Sequence, residues 1–295
     1  MLVSNRPDWD RVFRQVRGVL MFDICFASAV TAMHYKGWLS FLEVPSTPVS
    51  LIGAALGIVL GFRTNSAYSR WWEARILWGG LINSSRSLAR QILAFTPDRH
   101  LAEKIILAQI ALVHAFRCHL RGEDAGRELE GRLPEDAIAA LKTTQNIPVS
   151  LLNLMGHWLA RATGEGKLTE LQLHRMDQTL TEIANVLGGC ERIKNTPFPR
   201  QYHYFPELFI YIYCLMFPLT VVRDVRLLTP LFSGAITFVF LILNNIGKNL
   251  EDPFDSVRYG TPLRALSGAV ERNLLQGLGN GGCPEVVMPR GGVLE

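Results

Sequence analysis

Three apolar side chains one helical turn apart, Ala54, Ile58 and Phe62, are the residues whose spacing most resembles a working part. Each follows directly on a glycine of a second series with the same period, Gly53, Gly57 and Gly61. A small-xxx-small ridge lets a second helix approach closely. The neighbouring stripe can then face a symmetry axis and line a narrow apolar constriction, and such constrictions gate ions by dewetting. The same spacing serves plain helix packing equally well. Glu43 is the one acid of the loop before this helix; copies set around such an axis could make of it an outer ring that attracts cations, with Lys36 nearby to offset it.

Signals for other chemistry are weak. Cys25, Cys118, Cys190, Cys214 and Cys283 form no CxxC pair and read as small buried hydrophobes. His114 and His119 stand five apart, off the shared i, i+4 face that a zinc pair needs. GxSxG, P-loop and HExxH patterns are absent. The sequence therefore predicts no catalytic residues, no metal and no cofactor. A membrane enzyme built on His114, Cys118 and His119, or a membrane scaffold with a docking body, remains an alternative.

The elements that must carry these residues are set by where charge is missing. Hydrophobic residues make up 48% of the chain and charged ones 19%, against roughly 25% in soluble domains. A net charge of +4 gives no argument for nucleic acid. Four stretches are long and apolar enough to cross a ~30 Å hydrocarbon layer as helices. They lie at about 18–36, where Asp23 is the only charge before Lys36, and at 44–64, 205–222 and 227–247. Asp23 reads either as a functional acid or as the partner of Arg63 or Arg70.

Basic residues flank one side of these spans: Arg6, Arg11, Arg14 and Arg17 precede the first, and Arg63, Arg70 and Arg75 follow the second. Arg192, Lys194 and Arg200 precede the third, and Lys248, Arg258 and Arg264 follow the fourth. The positive-inside rule places both termini and the segment 70–200 in the cytoplasm. Apolar residues at three- and four-residue spacing predict amphipathic helices over Leu101–Leu120 and Leu168–Leu187, joined by an exposed connection from Arg121 to Glu135. Residues 250–275 add a further helical part, and the Gly- and Pro-rich stretch 276–295 reads as a poorly ordered tail. The expected fold is an all-α membrane protein, with four transmembrane helices and a helical cytoplasmic body in one domain, 1–275.

Three separated motifs carry a family resemblance. LGFRTNSAYSRWWEAR at Leu60–Arg75, CERIKNTPFP at Cys190–Pro199 and NNIGKNLEDPF at Asn244–Phe254 together resemble the signature of the bestrophin family, in its bacterial branch. The resemblance implies a homopentameric ion channel of the inner membrane. Its partners would be its own copies, the lipid bilayer and permeant monovalent ions. The second span would line the central pore, with Ala54, Ile58 and Phe62 as its neck; Ala54 is smaller than the family's usual branched residue. A second constriction would lie in the helix upstream of the Cys190 motif, where Leu171, Gln172 and His174 are candidates without a motif to fix the register.

Animal bestrophins follow the Asn-Pro-Phe motif with consecutive carboxylates that hold an activating calcium ion. Here the stretch reads Asp252-Pro253-Phe254-Asp255-Ser256-Val257-Arg258. Calcium takes about six to eight oxygen ligands, so calcium activation is not expected. Bacterial relatives and Glu43 favour monovalent cations, and a chloride-conducting pore is the alternative.

Overall fold

The computed structural model describes residues 9–39, 44–255, 258–279, 284–289 and 292–294. Every long regular element among them is helical: α1 (Trp9–Tyr35), α2 (Ser46–Phe95), α3 (Arg99–Arg121), α4 (Gly126–Leu129), α5 (Glu135–Lys142), α6 (Ile147–Gly164), α7 (Glu170–Asn195), α8 (Arg200–Val225), α9 (Thr229–Glu251) and α10 (Leu263–Gly277). They divide into two compact units.

The apolar unit comprises residues 4–70 and 197–251. Membrane-length apolar helix occurs at Trp9–Tyr35, Ser46–Phe95 and Arg200–Glu251. The last stretch holds two helices, because the chain reverses at Arg226, whose φ of 49° no helix continues. Tyr213 meets Phe240 edge-on, Cys214 Sγ lies 3.2 Å from Thr237 Oγ1, and Lys248 pairs with Glu207. Those partners step in opposite directions, so α8 and α9 form an antiparallel hairpin. Pro206 and Pro218 sit inside α8, tolerated in apolar helices whose neighbours re-satisfy freed carbonyls. α1 lies along α9 through Phe13 on Phe238 and Asp23 on Ser233.

α2 departs from the expected boundary at about residue 64. It continues unbroken for 50 residues through the polar Arg63–Arg75 stretch, about 75 Å at 1.5 Å per residue. The charged sequence after Gly61 holds neither proline nor glycine until Gly79, so a change of polarity there does not end the helix.

The second unit comprises residues 71–196 and 252–295. Its core centres on Trp78 and Phe116, stacked at 5.9 Å, with Leu81, Leu88, Ile92, Ile105 and Ile110 around them. α7 runs antiparallel to the later part of α2: Arg192 meets Glu73, Gly189 abuts Leu77, Gly80 abuts Val186 and Thr179 bonds Gln91. Asp98 caps α3 by accepting from Leu101 N, and Thr169 with Gln172 closes a capping box on α7. The connection Arg121–Glu135 is not wholly exposed as expected. It holds α4, buries Leu129 and Leu133, and is tied down by Glu128 through Arg117 and Arg132. Of the tail, Glu285 O accepts from Arg272 and Val293 is buried.

Candidate pore-lining site

The α2 stripe lies open on the protomer. Ile58 is 59% exposed, Phe62 69%, and Leu51 a further turn back 66%; Ala54 is exposed too. Leu56, Leu60 and Ala67 on the opposite side are buried. A helix that buries one apolar face within the chain and leaves another uncovered has a second apolar environment to meet, lipid or protein. The three glycines are not equivalent. A Cβ at Gly53 would stand 2.7 Å from the Tyr213 ring on α8, so Gly53 is the close-approach point within the chain. Gly57 and Gly61 have no atom within 4 Å of that position.

Arg63, the residue after Phe62, is 2% exposed. Its Nη1 donates to Asn244 Oδ1 at 2.5 Å, while Nη2 stands 3.1 Å from His203 Nδ1 and 3.5 Å from Glu251 Oε2. A buried guanidinium is costly unless paired, and these contacts pair Nη1 and Nη2 and leave Nε without a partner. The alternative that Asp23 pairs with Arg63 is therefore overturned. Both Asp23 oxygens lie 2.9 Å from Ser233 Oγ, a hydroxyl that α9 supplies at the right depth.

In the second unit, the aperture candidates are spread by their roles. Leu171 is 70% exposed and His174 is exposed, bonding Gln178. Gln172 is held in the α7 cap, with Nε2 donating to Phe95 O at the end of α2. Glu43 lies outside the described residues, as does Cys283.

The groups weighed for other chemistry are not brought together. His114 contacts Glu271 and Glu128, whereas His119 contacts Glu191. Cys118 is buried beside Arg117, and burial pushes the Cys190 thiol up to about 12, which removes it as a nucleophile. Among the described residues no three His, Cys, Asp or Glu side chains are grouped to hold a metal. Lys194 reaches both Asp252, at 3.5 Å, and Asp255. In the sequence Asn244 and Glu251 stand out only as motif members, and Lys194 as a motif member and flanking basic residue. There is no such signal for His203, which stands outside every motif.

A helical protein with membrane-length apolar segments, an uncovered apolar stripe on its longest helix and a buried arginine beside it belongs to the integral membrane proteins. More narrowly, a family model described as bacterial/fungal bestrophin protein matches residues 1–276, and the chain belongs to the bestrophin family. It is 34% identical over 284 residues to the voltage-dependent anion channel-forming protein YneE of Salmonella typhi, covering 94% of this chain and 93% of that one. It is 32% identical to the voltage-dependent anion channel-forming protein RSc3414 of Ralstonia nicotianae, covering 92% of each. The crystal structure of a bacterial bestrophin homolog from Klebsiella pneumoniae superposes with a TM-score of 0.83 at 31% identity, over 88% of this chain and 97% of that one.

Proposed function

We propose that the protein is an ion channel of the inner membrane. It would be a homopentamer with four membrane crossings per subunit (α1, the first part of α2, α8 and α9) and both termini cytoplasmic. Its central pore has a neck formed by Ala54, Ile58 and Phe62. The observation that carries this reading is the uncovered stripe itself: Ile58 and Phe62 are exposed at 59% and 69%, beside Gly57 and Gly61, where nothing fills the adjoining space. Copies brought together on that face turn each side chain into a ring. Rings of isoleucine and phenylalanine hold back ions by dewetting, while Ala54 leaves the outer ring wider. The aperture candidates Leu171, Gln172 and His174 belong to the same reading as a second constriction.

None of the three neck side chains is charged, so the neck imposes hydration and size limits and leaves the sign of the ion to other rings. The proposed sign is monovalent cations, supported by Glu43 before α2 and by the resemblance to the bacterial branch. A specific observation favours the opposite sign: YneE and RSc3414 are both named anion channel-forming. Calcium activation is not part of the proposal. The Lys194 ammonium already pairs with Asp252 and Asp255, and one pair of carboxylates is far short of a calcium cage. Nor is catalysis, since bestrophins are a channel family.

The test is the reversal potential of the purified protein in planar bilayers under a sodium chloride gradient. A shift towards the sodium potential is expected. A shift towards the chloride potential keeps the channel and reverses the ion, and absence of current moves the reading to a membrane scaffold.

A further inference from the structure

We infer that Arg63 is a positioning residue for the neck, and that His203 makes its hold on α8 and α9 sensitive to protons. The inference rests on the channel reading. Arg63 follows Phe62 directly on one helix, and its guanidinium is fastened to α9 through Asn244 and Glu251 and to α8 through His203. Rotation of α2 at Phe62 requires those contacts to break. The clamp thus sets the angle at which Phe62 is presented.

The proton sensitivity follows from one atom. His203 Nδ1 lies 3.1 Å from Arg63 Nη2 and 3.3 Å from Glu251 Oε2. An arginine nitrogen only donates, so the Arg63 bond exists only while Nδ1 is an unprotonated acceptor. A protonated ring donates from the same Nδ1 to Glu251, opposes the guanidinium and competes with it for the Glu251 carboxylate. His203 is 48% exposed, so protons reach it from water. Histidine is the side chain whose ordinary charge change falls between pH 5 and 8. The clamp is complete in the neutral tautomer that leaves Nδ1 unprotonated, and a proton on Nδ1 releases the Arg63 bond.

The charged groups on the elements that meet His203 are Arg63 and Arg70 from α2, Glu251 and Lys248 from α9, and Arg200 and Glu207 from its own helix, with Lys248 and Glu207 paired to each other. α1 also packs on α8 and carries Asp10, Arg11, Arg14 and Arg17 near its start. Apart from Arg63, which one variant replaces, these groups remain in every variant below.

The experiment compares the full-length protein with His203→Gln in planar bilayers at about pH 8 and about pH 5. Glutamine keeps an acceptor for Arg63 and does not titrate. The wild-type current is expected to change on acidification by up to roughly tenfold, the weight of one charge-assisted hydrogen bond. His203→Gln should stay at its alkaline level at both pH values. Arg63→Gln, which loses the clamp, should show no His203-dependent change with pH. Equal pH responses in wild type and His203→Gln overturn the inference. Hydrogen exchange of the 60–70 segment, corrected for intrinsic rates, tests the clamp without current. Faster exchange at about pH 5 in wild type and not in His203→Gln supports it, and identical exchange overturns it. Silence in the bilayer with the exchange difference intact overturns the channel reading alone.

Discussion

His114 Nε2 lies 3.0 Å from Glu271 Oε2, joining the core helix α3 to α10. This hydrogen bond, together with Arg132 at 2.7 Å on the other oxygen, holds the Glu271 carboxyl down from its ordinary 4.5 to about 2. A carboxylate lowered on folding contributes stability that is present above its unfolded value and lost as pH falls through its folded one. Thermal unfolding of the detergent-purified protein should therefore show a loss on the order of 3 kcal/mol between about pH 4.5 and pH 2. Glu271→Gln removes that slope, and an unchanged slope in the variant contradicts the assignment.

Gly53 separates packing within the chain from packing between copies. Gly53→Ala drives a Cβ into the Tyr213 ring at 2.7 Å, and overpacking of this kind costs about 1–3 kcal/mol. The melting temperature should fall. Gly57→Leu and Gly61→Leu place their Cβ atoms where, beyond the local backbone of α2, no atom of their own chain stands within 4 Å. Their effect should appear in light scattering as a lower fraction of assembled oligomer.

Asp23 is expected to tolerate Asn and to resist Leu. Asp23→Asn keeps a partner for Ser233 Oγ, whereas Asp23→Leu leaves that buried hydroxyl without one. An unsatisfied buried polar group costs about 1–3 kcal/mol. The yield of assembled protein measures the difference; equal losses for the two variants would count against the hydrogen bond as Asp23's role.

Millimolar calcium should leave the current unchanged, because Lys194 already occupies Asp252 and Asp255. Chelation and readdition of calcium during a single bilayer recording checks this.

The helical class and the apolar segments were legible because each span needs an unbroken apolar run, and those runs stand out from a charge-poor sequence. Ala54, Ile58 and Phe62 were legible as a stripe because their period is that of the helix. The continuation of α2 to Phe95 was not, since polarity marks solvent and says little about where a backbone without proline stops. Nor were the partners of Asp23 and Arg63. Asp23 finds its partner on α9 and Arg63 on α8 and α9, about 140 to 210 residues away along the chain, and periodicity within one helix carries no information about which side chain a distant helix will present. Leu171, Gln172 and His174 show the same limit: they share a helix turn, yet Gln172 is committed to the cap while the others point outward.

The central claim is that ion flow is held at Ile58 and Phe62. The most direct measurement is single-channel recording of wild type beside the Ile58→Ala/Phe62→Ala variant, in identical bilayers and at matched oligomeric state. The account predicts larger or longer openings in the variant, because alanine rings widen and wet the neck. Openings of equal size and duration in the two proteins would contradict it.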